Sequence, residues 1–92
     1  MLNNIKIKTR SLKEVVSVLE VLFSNGHTWR GGGTSTDLSD YEADNLIGLY
    51  VRDDEFYSGD KAVVTFETDC QSFWSDKDHL NVSPEQVEEY YK

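Results

Sequence analysis

The chain has 92 residues, of which 17 are acidic and 9 are Lys or Arg, so its formal net charge is −8. This charge disfavours direct nucleic-acid binding, because affinity for phosphates requires clustered basic residues. No apolar run approaches the roughly 20 residues that cross a membrane, and we expect neither a signal peptide nor a membrane partner. The hydrophobic fraction of 38% with 12% aromatic residues predicts one folded domain, residues 1–92.

The first third of the chain predicts a strand followed by a helix. Apolar and basic side chains alternate over residues 5–10, which is typical of a half-buried strand. Ser11 and Glu14 have the spacing of a capping box, and apolar residues then recur at helical intervals. The sequence therefore predicts a helix over 11–25, with Gly26 in the left-handed conformation that ends it.

The remainder predicts shorter elements. Residues 27–30 are a candidate for a short strand, and the β-rich runs 46–52 and 61–67 favour an antiparallel hairpin. Segment 69–82 is ambiguous, since its aromatic residues Phe73 and Trp74 favour burial while the charged residues that follow favour water.

The final helix is predicted by Ser83 and Gln86, which have capping-box spacing around a proline. It covers about residues 84–91. These elements together predict an α+β fold, an antiparallel sheet of three to five strands with the helix at about 11–25 packed on it.

Motifs for chemistry are weak. The glycine-rich segment 30–36 lacks the Gly-Lys-Ser/Thr ending of a phosphate-binding loop, so a flexible loop is the better interpretation. Asp76, Asp78 and His79 are the best candidates for a metal or a small enzyme site, but zinc would require more His or Cys. Cys70 is a single cysteine, which permits no internal disulfide, fits a reducing compartment and is expected to be a small apolar filler. We therefore predict no enzyme activity, no metal and no cofactor.

The charge is unevenly distributed along the chain. Residues 1–34 carry five bases and two acids, whereas residues 35–92 carry four bases and fifteen acids, a net charge of −11. The acids alternate with aromatic and aliphatic residues, unlike the acidic block of a disordered tail. We therefore expect them on a folded surface.

Carboxylates on such a surface can match the spacing of DNA phosphates, which is roughly 7 Å along the backbone. Strand residues two apart project from one face at roughly 6.6 Å, a spacing available to Glu67 and Asp69 and to the alternate acids of 40–44. Helix residues four apart are separated by roughly 6 Å, which suits Glu85 and Glu89. A solvated acidic face that serves only solubility remains the competing interpretation.

The predicted phosphate mimics are therefore the acids of this second segment. They are Asp37, Asp40, Glu42, Asp44, Asp53, Asp54, Glu55, Asp60, Glu67, Asp69, Asp76, Asp78, Glu85, Glu88 and Glu89.

Segment 22–29, Leu-Phe-Ser-Asn-Gly-His-Thr-Trp, closes the first helix and is followed by a β-rich acidic half. With this pattern, its size and its acidity, the chain resembles the anti-restriction nuclease (Arn) proteins of T-even-type bacteriophages. The resemblance implies a viral DNA mimic that acts in the host cytoplasm and blocks the McrBC restriction endonuclease. It also introduces the nucleoid protein H-NS as a second expected partner.

An alternative function is a protein–protein interaction module that uses an aromatic patch without DNA mimicry. Its candidate residues are Trp29, Tyr41, Tyr50, Phe56, Tyr57, Trp74, Tyr90 and Tyr91. An exposed edge strand favours pairing between copies, whereas charge repulsion opposes it, so either a monomer or a homodimer is expected.

Overall fold

The computed structural model describes residues 1–38, 48–54 and 59–92. They form an α+β fold, which confirms the predicted class. The strands are β1 (Ile5–Lys8), β2 (Gly48–Asp54), β3 (Asp60–Glu67) and β4 (Leu80–Val82), and the helices are α1 (Leu12–Ser24), α2 (Cys70–Ser75) and α3 (Pro84–Tyr90).

The four strands form one mixed sheet in the order β3-β2-β1-β4. β2 pairs antiparallel with both β1 and β3, but β4 pairs parallel with β1, with Leu80 opposite Ile5. The prediction of a purely antiparallel sheet is therefore wrong. After β3 the chain crosses over through α2 and enters β4, which runs in the same direction as β3 and β1. A crossover connection of this kind produces parallel strands.

The two faces of the sheet are covered differently. Ile5 and Ile7 project from one face into a core shared with α1, which buries Val15, Leu19 and Leu22 among others. Lys6 projects from the opposite face, where its ammonium group reaches the carbonyl oxygens of α2. This alternation follows directly from the period of two along β1.

The ambiguous segment contains both α2 and β4. Within α2, Phe73 is fully buried, but Trp74 is 53% exposed, so the expectation of burial is wrong for Trp74. Cys70 is also exposed, at the first position of α2, and is not the apolar filler that was predicted. Consecutive residues of a helix point in directions about 100° apart, so one docked face buries only one of the two aromatics.

The helix ends are held largely as their local sequences predict. Ser83 and Gln86 form a complete capping box at α3, and Gly26 takes a φ of 95° after α1. At α1, Ser11 Oγ accepts the Glu14 backbone N–H, but the Glu14 carboxylate binds Arg10 and leaves the predicted box half formed. The predicted strand at 27–30 is reduced to one bridge, between Trp29 and Val64.

A bulge interrupts β3 at Ala62, which has a φ of 52°. The bulge leaves the polar backbone groups of Ala62 outside the ladder. Side chains satisfy both groups: the N–H donates to Asp53 Oδ1 at 3.0 Å, and the carbonyl lies 2.9 Å from Nδ1 of the buried His27. His27 is therefore a structural residue.

The bonds of His27 define a neutral imidazole. Nδ1–H donates to the Ala62 carbonyl, while Nε2 accepts from the Tyr91 hydroxyl, which in turn accepts the Leu2 N–H at 2.9 Å. Burial holds the pKa of His27 below its usual 6.5. A protonated Nε2 would lose its ability to accept the bond from Tyr91.

We therefore expect acid to destabilise the protein through His27. Because the folded-state pKa is depressed, this contribution to stability is present above about pH 6.5 and is lost as the pH falls through the folded value. The urea concentration at the unfolding midpoint should be lower at about pH 5 than at about pH 7.5. The His27→Asn protein should be less stable than the unaltered protein at the higher pH, and its urea midpoint should decrease less as the pH is lowered. An equal dependence of the midpoint on pH in the two proteins would contradict the prediction.

Candidate functional site

The structure describes ten of the predicted acidic side chains. Asp40, Glu42, Asp44 and Glu55 lie outside the described residues, as does the side chain of Asp60, which begins β3. The candidate aromatics Tyr41, Phe56 and Tyr57 also lie outside them. The site is therefore built from the remaining residues.

Two acids of β2 are held by contacts within the protein. Asp53 accepts a hydrogen bond from Asn3 Nδ2 at 2.7 Å and lies 3.6 Å from the ammonium of Lys61. Hydrogen bonds from Asn3 and from a backbone N–H keep the pKa of Asp53 below its usual value. Asp54 pairs with Arg30 at 2.5 Å. Both carboxylates therefore hold loops to the sheet.

Glu67 and Asp69 do not form the predicted pair on one strand. Glu67 ends β3 and accepts the Tyr50 hydroxyl at 2.9 Å, whereas Asp69 lies beyond the strand and caps α2. Asp69 accepts hydrogen bonds from Ser72 Oγ and from the Gln71 backbone N–H, and these bonds lower its pKa. The strand spacing of about 6.6 Å therefore does not apply here.

Asp76 belongs to a cluster on the α2 side of the sheet. Its carboxylate accepts from the ring and the backbone N–H of His79 at 3.0 and 3.2 Å, and it lies 3.9 Å from the buried ammonium of Lys6. Burial opposes ionisation, but the bonds from His79 and the charge of Lys6 still hold the pKa of Asp76 below its usual value.

Lys6 fixes this cluster to α2. Its ammonium donates to the carbonyl oxygens of Phe73 at 2.5 Å and Asp76 at 2.8 Å, and so binds the C-terminal end of the helix, where carbonyls lack helical partners. Asp78 is exposed, outside the contacts of this cluster. In the described parts of the chain, no group of three or more His, Cys, Asp or Glu residues is arranged to hold a metal ion.

A group of four carboxylates lies on α3 and on the neighbouring first turn of α1. Glu85, Glu88 and Glu89 are all exposed, and Glu85 and Glu89 have the helical separation of four residues that was predicted. Arg10 Nη2 lies 2.8 Å from Glu85 and 2.7 Å from Glu14. We call Glu14, Glu85, Glu88 and Glu89 the α3 acidic surface.

The glutamates of this surface differ in their ion pairs. Glu85 and Arg10 are 66% and 67% exposed, and Glu89 pairs with Lys92 at 3.7 Å with both side chains more than three-quarters exposed. Glu88 has no ion-pair partner among the described residues, and it lines a groove of about 260 Å³ with Ser17 and Pro84. The surface can therefore offer carboxylates to a basic partner.

The candidate aromatic side chains that the structure describes do not form a single surface patch. Tyr50 is buried, which excludes it from any surface patch, and Trp29 packs against Phe66 with ring centroids 4.7 Å apart. Trp74 on α2 and Tyr90 on α3 are more than half exposed. Each is available to a partner, but they lie on different helices.

Comparisons with known protein families, with curated proteins and with solved structures find no match. No helix in the described ranges combines the length and apolar character that crossing a membrane requires.

Proposed function

We propose that the protein is a non-enzymatic DNA mimic that occupies the DNA-binding site of a host DNA-binding protein. The observation that carries this proposal is the α3 acidic surface, where Glu85, Glu88 and Glu89 project into solvent from one short helix of a protein with a net charge of −8. Carboxylates held about 6 Å apart can receive the Lys and Arg side chains that otherwise contact phosphates.

The ion pairs already present on this surface support the proposal, because they are weak enough to exchange. Exposed pairs such as Arg10–Glu85 and Lys92–Glu89 contribute little to stability, because water and salt screen them. A basic partner can therefore replace Arg10 or Lys92 at little cost. The remaining excess of acid also accelerates encounter with a basic protein through long-range attraction.

The resemblance to Arn proteins makes McrBC and H-NS the first partners to test. We expect purified protein to bind one of them, to be displaced by duplex DNA, and to bind more weakly as salt concentration rises. Replacing Glu85, Glu88 and Glu89 together by Gln should weaken binding about tenfold or more and flatten the salt dependence. Calorimetry at several salt concentrations measures both effects.

Single substitutions provide a matched control. Glu88 and Glu20 are both exposed glutamates on helices, but Glu20 lies outside the α3 acidic surface. Glu88→Gln should weaken binding, whereas Glu20→Gln should not. Binding that survives the triple change, resists DNA and is lost in Trp74→Ala would replace DNA mimicry by the aromatic interaction module.

A further inference from the structure

A chain of hydrogen bonds centred on His27 ties together segments that are distant in the sequence. His27 follows α1, its Nδ1 lies 2.9 Å from the carbonyl oxygen of Ala62 in β3, and its Nε2 contacts the hydroxyl of Tyr91. That hydroxyl accepts the backbone N–H of Leu2 at 2.9 Å. The side chain of His27 therefore joins the end of α3 and the N-terminal segment to β3.

The two ring nitrogens of His27 respond differently to protonation. A carbonyl oxygen can only accept, so Nδ1 carries the hydrogen in the bond to Ala62, and this bond persists in both the neutral and the charged ring. Nε2 accepts the hydrogen of the Tyr91 hydroxyl only while the ring is neutral. Protonation therefore removes the bond from Tyr91 and leaves the bond to Ala62.

Reversal of the bond between His27 and Tyr91 does not preserve this chain of hydrogen bonds. Burial raises the pKa of the Tyr91 phenol, so the hydroxyl keeps its hydrogen. If the protonated Nε2 donated to that hydroxyl, its oxygen would accept from both His27 and Leu2, and its hydrogen would need a new acceptor. His27 is 1% exposed, and a charge buried there without a carboxylate is costly.

The charged groups on the elements packed against His27 do not favour the imidazolium. Burial is the main reason that the pKa of His27 lies below 6.5, and the positive charge of the Met1 amino group acts in the same direction. Lys61 on β3 and Lys92 after α3 are more than three-quarters exposed, at 3.6 and 3.7 Å from surface carboxylates. Glu20, the acid of α1 nearest to His27 in the sequence, is also exposed. None of these groups compensates the charge of a protonated ring.

We propose that His27 and Tyr91 form a pH-dependent latch, which releases the C-terminal end of α3 and the N-terminal segment when His27 is protonated. The release occurs on the side of α3 and not on the side of β3, because the bond to Ala62 persists. Glu88 and Glu89 lie in the last turn of α3, so opening also displaces two carboxylates of the α3 acidic surface. The latch acts within the isolated protein and does not rest on the proposed function.

The test is nuclear magnetic resonance of the isotope-labelled protein, titrated from about pH 7.5 to about pH 5 at constant ionic strength. The signals of the Leu2 amide and the Tyr91 ring should shift with the same midpoint as the ring of His27, below about pH 6.5. The amide of Val51, in the middle of the sheet between β1 and β3, should not shift with this midpoint. This pattern distinguishes local release from loss of the whole fold.

Two adjacent tyrosines provide a matched pair of variants. Tyr91→Phe removes the hydroxyl and keeps the ring, so the midpoint of His27 should rise by about half a pH unit or more, because a hydrogen bond to the neutral ring is lost. Tyr90→Phe should titrate as the unaltered protein does, since Tyr90 is 56% exposed and lies outside the hydrogen-bond chain.

The outcomes decide the proposal. An unchanged midpoint of His27 in Tyr91→Phe overturns the latch, and so does a shift of the Val51 amide together with that of Leu2. His27→Asn, which does not titrate in this range, is the second variant if Tyr91→Phe fails to fold. Its Leu2 and Tyr91 signals should not depend on pH between about pH 7.5 and about pH 5, and a retained dependence also overturns the latch.

Discussion

Phe73→Ala should cost about 3–5 kcal/mol in the free energy of unfolding, a large fraction of the 5–15 kcal/mol typical of a domain. Phe73 has 0% exposure, and its ring lies 4.9 Å from the ammonium of Lys6 and 6.1 Å from the ring of Tyr50. Its removal leaves a cavity between α2 and the sheet. Urea denaturation followed by circular dichroism measures the loss.

The neighbouring residue is the matched control for this prediction. Trp74 is a larger aromatic on the same six-residue helix but is 53% exposed, so Trp74→Ala should cost less than about 1 kcal/mol. Phe73→Leu retains part of the packing and should give an intermediate loss if Phe73→Ala fails to fold. Equal losses for Phe73→Ala and Trp74→Ala would show that α2 does not dock through Phe73.

Gly48→Ala should destabilise the protein by about 2–3 kcal/mol, because nothing larger than hydrogen fits at this position. A Cβ there would lie 2.6 Å from Phe73 Cε2 and 2.7 Å from the backbone oxygen of Ile7. The Phe73 ring can adjust, but the carbonyl belongs to β1 and can move only with the strand. The substitution therefore tests how closely β2, β1 and α2 pack.

Gly33→Ala is the control, since a Cβ at Gly33 would meet its nearest atom, Trp29 Cδ1, at an ordinary 3.9 Å. Its expected effect is within about 0.5 kcal/mol. Combining Gly48→Ala with Phe73→Leu should not restore stability, because the contact with Ile7 remains. If stability were restored, the steric clash of the new methyl group would be with the Phe73 ring alone. The same denaturation measurements decide both cases.

Local patterns were sufficient to predict α1 and α3, because apolar spacing, Ser caps and a terminating Gly26 act within a few residues. β4 was not predictable in the same way. Its three residues, Leu80–Val82, carry no alternation of note, and they become a strand only by pairing with β1. That pairing joins segments about 75 residues apart, which no local window contains.

The candidate site divides along the same lines. Glu85 and Glu89 could be placed at helical spacing from the sequence, since a capped helix fixes the separation of its own residues. Asp69 and Asp76 could not be assigned, because their roles depend on α2. The mixture of aromatic and charged residues in segment 69–82 did not predict that helix.

The sequence by itself determined the α+β class, the excess of acid and its concentration after residue 34. These properties are sums over residue types or patterns within single elements. Only the tertiary structure decided which carboxylates are engaged and which are available to a partner. The bond from Arg10 to Glu85 spans 75 residues, and the bond from Asn3 to Asp53 spans 50, so the partners of these two acids are set by packing between distant segments.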